Sequence, residues 1–316
     1  MTTLSPKIKE ACHLADVPTH VGTMNTRGTI KSDLSSRRRL NSRKQARKRR
    51  PISAALLHLE MSLSFSRNAF FATAALSLTC ATISAGPADD LIKKGDDLDL
   101  KLQASQALGF YLAAEKLEPN NASLLCRIAR QYRHLMVDAT TREEKLRLGE
   151  TGLDYAQRAA ALAPNDSEAQ LSPAISYGKM VALQGMKEQI ESARRIKDAA
   201  DKAIKLDPHN DLAWDVLGRW NKVLADVSGL KRAIGALLYG ELPTGSNAEA
   251  VLCFQKAIEI NPNRLMHYIE LGQTYAQMGK TADARRLINK GLAMPDVEKD
   301  DPEIKRRGRE TLAKIQ

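Results

Sequence analysis

Apolar side chains recur at helical spacing through the second two-thirds of the chain. In three places a large apolar residue stands six positions after a proline, and another follows three positions later: Leu125 and Ile128, Trp214 and Leu217, Tyr268 and Leu271. A spacing of three or four residues places side chains on one face of an α-helix. Because no segment of the sequence reads as a strand, the pattern predicts an all-α protein.

Prolines mark the predicted helix ends at recurring positions: Pro119, Pro164, Pro208 and Pro262. Proline cannot continue a helix, and it disfavours the helical conformation in the residue before it. An Asn, Asp or Ser beyond each proline can accept a hydrogen bond from the first turn of the next helix. Counting Pro295, successive prolines lie 45, 44, 54 and 33 residues apart, which predicts repeats of unequal length.

A second set of helices is predicted from triplets in which small residues dominate. The triplets are Ala107, Tyr111 and Ala114; Gly152, Ala156 and Ala159; Ile196, Ala200 and Ala203; Ala250, Phe254 and Ala257; Ala284, Ile288 and Gly291. Aromatic residues make up only 4% of the chain, so a core must be built largely from Ala, Leu and Ile. Small side chains allow two helices to approach closely, which predicts stacked helix pairs.

These offsets resemble the tetratricopeptide repeat, a pair of helices with a 34-residue pattern. The final repeat carries most of that pattern: Tyr268, Leu271, Gly272, Tyr275, Gly279, Ala284, Ile288 and Gly291. The resemblance implies a right-handed solenoid of about five irregular repeats, closed by a C-terminal capping helix near residues 301–315. Gln170 and Pro173 depart from the pattern. Pro173 either kinks its helix or delays the helix start until Ser172 can cap it.

One long insert narrows the resemblance further. Residues 227–246 read as an amphipathic helical segment followed by a loop that contains Pro243 and two glycines. Together with the segment Leu217-Gly-Arg-Trp220 before it, this insert resembles the regulator of microtubule dynamics family. The resemblance implies a tetratricopeptide domain associated with microtubules and spindles, and it makes microtubules a partner only if the chain is cytosolic.

The basic charge of the chain is concentrated at its start. The formal net charge is +11, but residues 1–60 contain 13 Lys and Arg against 4 Asp and Glu, a balance of +9. Residues 61–316 therefore carry only +2, which argues against nucleic-acid binding by the repeat domain. Residues 1–60 are predicted to be a disordered basic leader, or to be untranslated if the gene starts at Met61.

Residues 61–85 have the order of features expected of a secretory signal peptide. Arg67 is followed by an apolar run, residues 69–83, and then by the small residues Ser84 and Ala85, which precede the predicted cleavage site. The sequence thus predicts export to the periplasm or outside the cell, and a mature repeat domain of residues 86–316. A membrane anchor and an organellar transit peptide stay open as alternatives, as does the cytoplasmic or cytoskeletal location that the family resemblance implies.

A partner is expected in the groove that the first helix of each pair lines. In solenoids of this type, positions five, eight and nine after the large apolar anchor point into that groove. The predicted groove residues are basic in three repeats and apolar or amide in the last: Arg130, Arg133, Lys179, Arg219, Lys222, Met266, Ile269 and Gln273. Basic side chains there could hold an acidic peptide, a C-terminal carboxylate or an anionic lipid. The alternative is a solvated helix face neutralised by nearby acids.

Nothing in the sequence indicates catalysis, a metal or a cofactor. The histidines are scattered, and neither a nucleophile elbow nor a glycine-rich phosphate loop is present. The sequence therefore predicts a non-enzymatic scaffold that binds a protein or peptide. A lipid or small-anion carrier is the second hypothesis, which requires an apolar cavity behind the basic residues. A cytosolic microtubule-associated protein is the third.

Overall fold

The computed structural model describes residues 86–315. The predicted basic leader, residues 1–60, and the predicted signal peptide, residues 61–85, lie outside the described residues and stay predictions. None of the helices within residues 86–315 is both long enough and apolar enough to cross a membrane.

The described residues form helices joined by short connections. In chain order the helices are α1 (Pro87–Asp99), α2 (Ala104–Glu115), α3 (Ala122–Asp138), α4 (Arg142–Leu162), α5 (Ser167–Met180), α6 (Met186–Leu206), α7 (Asp211–Ala225), α8 (Gly229–Tyr239), α9 (Asn247–Ile260), α10 (Leu265–Gln277), α11 (Thr281–Ala293) and α12 (Asp301–Lys314). A short 3₁₀ turn, Val181–Leu183, follows α5. The prediction of an all-α chain is confirmed for this part of the sequence.

The described helices pack as five pairs. The pairs are α1 with α2, α3 with α4, α5 with α6, α7 with α9, and α10 with α11. The predicted insert forms α8 and its loop between the two helices of the fourth pair. α12 packs on α10 and α11, where Ile304 is buried beside Leu265 and Ile269. Five helix pairs and a closing helix confirm the predicted solenoid of irregular repeats.

The helix starts after three of the prolines carry the predicted polar caps. The side chains of Asn121, Asp166 and Asn210 accept hydrogen bonds from the backbone N–H three residues on, at 3.0, 2.7 and 3.0 Å. Each cap satisfies one of the backbone donors that the first helical turn leaves unpaired. In the last repeat Arg264 occupies the cap position and makes no such bond.

Pro173 lies inside α5, so the alternative of a helix delayed until Ser172 is wrong. Asp166 caps the helix at its expected start, and the helix continues through the proline to Met180. The side chain of Gln170 explains the other departure from the repeat pattern. Its amide donates to the carbonyls of Ala160 and Ala163 at 2.6 and 2.9 Å, which ties α5 to the end of α4.

The small-residue triplets form the contacts between paired helices, as predicted. All fifteen of their residues are buried. Gly272 shows why small residues are needed there. A Cβ at this position would stand 2.6 Å from Cγ1 of Ile288 and 3.1 Å from the carbonyl oxygen of Ala284. The first distance is shorter than real Cβ contacts and the second is tighter than most of them, so α10 and α11 approach this closely only because residue 272 has no side chain.

Candidate functional site

The first helices of four pairs line one common surface, here called the inner groove. A cavity of about 120 Å³ in it is lined by residues of α3, α5, α7 and the start of α10, and by residues 298–304. Five of the eight predicted groove residues line this cavity: Arg130, Arg133, Lys179, Arg219 and Met266. The structure thus brings together basic residues from three repeats that are far apart in the sequence.

Residues 295–300, here called the strap, connect α11 to α12 and cross the inner groove. Asp300 pairs with Lys179 of α5 at 2.5 Å, and Lys299 pairs with Asp138 of α3 at 2.9 Å. Glu298 accepts a hydrogen bond from Arg264 at 2.9 Å. No role of the strap in the groove could be predicted from the sequence, because charged loop residues are usually solvated. The pKa of Asp300 is lowered because, although burial opposes this, Lys179 favours the ionised carboxylate.

Lys222 and Gln273 belong to a buried cluster around Glu270. The Glu270 side chain is fully buried and accepts a hydrogen bond from Lys222, which in turn is 2.9 Å from the side-chain oxygen of Gln273. Arg307 of α12 contacts the same carboxylate at 3.1 Å, and Arg219 lies 3.6 Å from it. Burial alone would raise the pKa of Glu270, but the surrounding cations hold it far below its usual value. Lys222 is therefore committed to an internal ion pair.

Two other predicted groove residues, Ile269 and Arg133, are buried in surroundings that differ from each other. Ile269 is fully buried under α12, where it packs with Leu265 and Ile304, and its side chain does not line the cavity described above. Arg133 is also buried, but its guanidinium contacts only the hydroxyls of Ser172 and Ser176, at 3.3 and 3.1 Å. Burial lowers the pKa of Arg133 to about 10. The alternative of a solvated basic face does not describe Arg133 or Lys222, because both are buried. Ile269 is buried as well.

A buried histidine links the fourth and fifth repeats. Nδ1 of His267 lies 3.0 Å from Asp215, and Nε2 lies 3.0 Å from Asp211. Burial opposes a charged imidazole, but the hydrogen bonds to the two carboxylates raise the pKa of His267 above its usual value. This contact could not be predicted from the sequence, because its residues lie in different repeats and become neighbours only when the helices stack.

We expect His267→Gln to lower the free energy of unfolding by about 2 kcal/mol at pH 6, because the carboxylates of Asp215 and Asp211 lose a cationic donor. A raised pKa in the folded state gives stability that is full below about pH 6.5 and is lost as pH rises through the folded-state pKa. The difference between wild type and variant should therefore shrink between pH 6 and pH 9 in urea unfolding experiments. His209→Gln is the control, since His209 is exposed. A constant difference across this pH range would contradict the prediction.

A second, more apolar cavity adjoins the inner groove. It measures about 160 Å³ and lies between α5, α6 and α7, with Ile175, Ile196, Val216 and Trp220 in its wall. Lys179 and Arg219 also line it. A third cavity of about 270 Å³, between α3, α5 and α7, is more polar and contains Arg127, Arg130 and Arg133. Within residues 86–315, no cluster of His, Cys, Asp and Glu has the arrangement needed to hold a metal ion.

Some known proteins are similar to this chain in sequence, and another is similar in its helical fold. Regulator of microtubule dynamics protein 2 of Macaca fascicularis is 26% identical over 234 residues, which cover 72% of this chain and 56% of that protein. Regulator of microtubule dynamics protein 1 of Mus musculus is 29% identical over 205 residues, which cover 64% of this chain and 67% of that protein. The chain spans about half the length of the type 2 relatives it matches. A thermophilic tetratricopeptide repeat protein of Thermus thermophilus matches in structure with a TM-score of 0.50 at 15% identity, covering 72% of this chain and 99% of that one.

The structural likeness supports the tetratricopeptide fold alone, because the identity is low. The assignment to a family rests on the sequence model of the Regulator of microtubule dynamics protein 1-3 family, which matches residues 88–316. That range begins at the second residue of α1. It contains the rest of the five helix pairs, the insert with α8, the strap and α12. The match also agrees with the resemblance seen in the insert and in the segment before it. The chain belongs to the regulator of microtubule dynamics family.

Proposed function

We propose that this chain is a non-enzymatic scaffold whose inner groove binds an acidic segment of a partner protein. The observation that carries the proposal is the strap. It is a short segment of this chain with three acidic residues among six, and it places carboxylates of Asp300 and Glu298 on Lys179 and Arg264. A partner segment of similar charge would find the same type of contact in the groove.

The form of the groove also favours an extended protein segment. Its basic residues stand on α3, α5 and α7, so they are spread along the stacking direction of the repeats rather than gathered at one point. The cavities in and beside the groove measure about 120, 160 and 270 Å³. They are smaller than the roughly 300–1,000 Å³ typical of small-molecule sites, and they suit individual side chains of a docked peptide.

We expect that replacing three groove cations will weaken binding of acidic peptides at least about tenfold, since each lost charged hydrogen bond removes ~1.5 kcal/mol or more. The variant is Arg130→Gln, Lys179→Gln and Arg219→Gln. These side chains are 45, 27 and 41% exposed, and Glu270 keeps Lys222 and Arg307 as partners when Arg219, 3.6 Å from its carboxylate, is changed. Peptides are first selected from a random display library on the immobilised full chain, and their affinities are then measured by fluorescence anisotropy.

The matched control changes three basic residues on the second helices of the pairs: Arg147→Gln, Lys187→Gln and Lys202→Gln. All three are exposed and lie on α4 and α6. The selected peptides should be rich in Asp and Glu, and the control variant should bind them as the wild type does. Selection of neutral peptides, or equal weakening by the two triple variants, would contradict the proposal.

A carrier of an anionic amphiphile is the second candidate function. The cavity between α5, α6 and α7 favours it, because Lys179 and Arg219 stand beside an apolar wall that contains Val216 and Trp220. An acidic head group would contact the cations, and an apolar chain would enter the cavity. Native mass spectrometry of the purified protein tests this idea, and the absence of any bound lipid would count against it.

The location of the chain decides which partners it can meet. The relatives are named for regulation of microtubule dynamics, so microtubules are a candidate partner if this chain stays in the cytosol. The predicted signal peptide at residues 61–85 would instead place the domain outside the cytosol. Sequencing the N-terminus of the natural protein distinguishes the two: a start at Gly86 supports export, whereas an intact Met1 supports the cytosolic assignment.

A further inference from the structure

Arg133 is a buried cation at the boundary of two cavities. It lies in the second half of α3, and only 7% of its surface is exposed. Its side chain lines both the cavity of about 120 Å³ under the strap and the cavity of about 270 Å³ between α3, α5 and α7. Both cavities open on the inner groove, so a group bound in either one can reach the guanidinium.

The guanidinium of Arg133 has acceptors of only one type. One of its terminal nitrogens donates to Oγ of Ser172 at 3.3 Å and to Oγ of Ser176 at 3.1 Å. Within residues 86–315 no carboxylate oxygen lies within 4 Å of it, although Glu168 lines the larger cavity and Asp300 lines the smaller one. An arginine side chain has five N–H donors and stays charged in proteins. A buried charge without a counterion is unfavourable by several kcal/mol.

Three neighbouring cations already have counterions of their own. Arg127 pairs with Asp96 at 2.8 Å, Arg130 with Asp99 at 2.5 Å, and Lys179 with Asp300 at 2.5 Å. Arg133 therefore contributes one positive charge that the surrounding pairs do not neutralise. A group with a single negative charge would balance the charge of Arg133.

We propose that the Arg133 guanidinium, buried between two cavities beside the hydroxyls of Ser172 and Ser176, binds one carboxylate of the acidic segment that docks in the inner groove. This inference rests on the proposed scaffold function and adds the chemistry of its anchor point. The planar fork of a guanidinium matches the two oxygens of a carboxylate, and the hydroxyl of Ser172, which lines the larger cavity, can rotate to donate to the same group. The carboxylate belongs either to an Asp or Glu side chain or to the C-terminus of the partner.

The first test measures thermal unfolding of the full chain in 0.2 M sodium acetate and in 0.2 M sodium chloride, at equal pH. Acetate should raise the Tm of the wild type by about 2 °C if it binds with a dissociation constant of tens of millimolar. In chloride, Arg133→Met should have a Tm about 3 °C above the wild type, because an unpaired buried charge is replaced by an apolar side chain of similar length. This variant should not respond to acetate.

The control is Arg147→Met on the exposed face of α4, which should respond to acetate as the wild type does. A structural role for Arg133 predicts the opposite pattern: Arg133→Met would lower the Tm, and acetate would shift the wild type and the variant equally. That result would overturn the inference. Rescue of the acetate response by Arg133→Lys would support it, since lysine keeps the charge at the site.

The second test uses a fluorescein-labelled peptide with the strap sequence Pro-Asp-Val-Glu-Lys-Asp. Three forms are compared: a free C-terminus, an amidated C-terminus, and a form with Asn and Gln in place of Asp and Glu. Arg133→Met should weaken binding of a carboxylate-bearing form at least about tenfold. Binding of the amidated form identifies a side-chain carboxylate as the ligand, and binding of only the free form identifies the terminal carboxylate.

The two tests separate failure of the inference from failure of the proposed function. If the peptide binds the wild type and Arg133→Met equally, the scaffold function is supported and the carboxylate site is overturned. If no peptide form binds but the acetate response depends on Arg133, the anion site is supported and the proposed peptide scaffold fails.

Discussion

Glu270→Gln is expected to lower the free energy of unfolding by about 3–5 kcal/mol, because it removes the buried carboxylate that Lys222, Arg219 and Arg307 share. The carboxylate is fully buried, with Lys222 hydrogen-bonded to it and Arg307 and Arg219 at 3.1 and 3.6 Å. Glutamine has nearly the same shape, so the loss reports the charge rather than the packing. Replacing both members of the pair, Glu270→Gln with Lys222→Met, should restore much of the lost stability.

Urea unfolding followed by circular dichroism measures this effect. Glu259→Gln is the control, because Glu259 is exposed and pairs only with Lys256 one turn away. The lowered pKa of Glu270 fixes the pH dependence. Its stabilisation is present above the unfolded-state pKa of about 4.3 and is lost as pH falls through the folded-state pKa, so the wild type loses its advantage over the variant in acid. Equal stability of Glu270→Gln and Glu259→Gln at pH 7 would show that the cluster does not stabilise the fold.

Phe254→Ala is the second change with a large expected effect, about 3–5 kcal/mol of lost stability. Phe254 of α9 is fully buried and fills the space over Gly218 of α7. A Cβ at residue 218 would stand 2.8 Å from the phenylalanine ring. Gly218→Ala alone should therefore destabilise by about 1–3 kcal/mol through overpacking, but it should be tolerated in the Phe254→Ala background.

A double-mutant cycle of Gly218→Ala and Phe254→Ala measures the coupling between these two residues. Residues in contact give coupling free energies of roughly 0.5–3 kcal/mol, and the sign here should make the double variant more stable than the sum predicts. Gly109→Ala on α2 is the control, since nothing lies within 4 Å of the position of its Cβ. Additive effects would mean that α7 and α9 do not pack directly across the insert.

In the inner groove, the residues that stabilise the fold differ from those proposed to bind a partner. Lys222 and Glu270 are buried together, so a charge reversal at Lys222 would place two carboxylates in contact and unfold the region rather than test binding. Arg130, Lys179 and Arg219 are more exposed, and in the proposed function they exchange an internal carboxylate for one from a partner. Arg133 is unusual among them because it is buried without such a partner within the described residues.

Much of the fold could be predicted from the sequence because its determinants are local. The spacing of Leu125 and Ile128, or of Tyr268 and Leu271, depends only on the helical repeat of the same segment. The same is true of the helix starts at Asn121 and Asp166 and of the small residues such as Ala156. The family resemblance lay in the insert, which the structure shows as α8 and its loop between the two helices of one repeat.

The candidate site could be predicted only in part. Periodicity correctly placed Arg130, Arg133, Lys179, Arg219 and Met266 on one surface, because it determines which face of a helix each residue occupies. It did not show that Ile269 is covered by α12 or that Lys222 is paired with Glu270, since the covering residues belong to other elements. Pro173 gave two alternatives, and only the cap made by Asp166 decided between them.

The sequence by itself determined the helix pairs, their small-residue contacts and the family, because these depend on spacing within segments of a few turns. The tertiary structure alone decided how the cations are used: Lys179 on the strap, Lys222 on a buried carboxylate, and Arg133 beside two hydroxyls. Charge pairing depends on distances of a few ångströms between residues from different repeats, and on how much water is excluded around them. Neither these distances nor the exclusion of water can be read from the sequence, because both arise only when the helices are stacked.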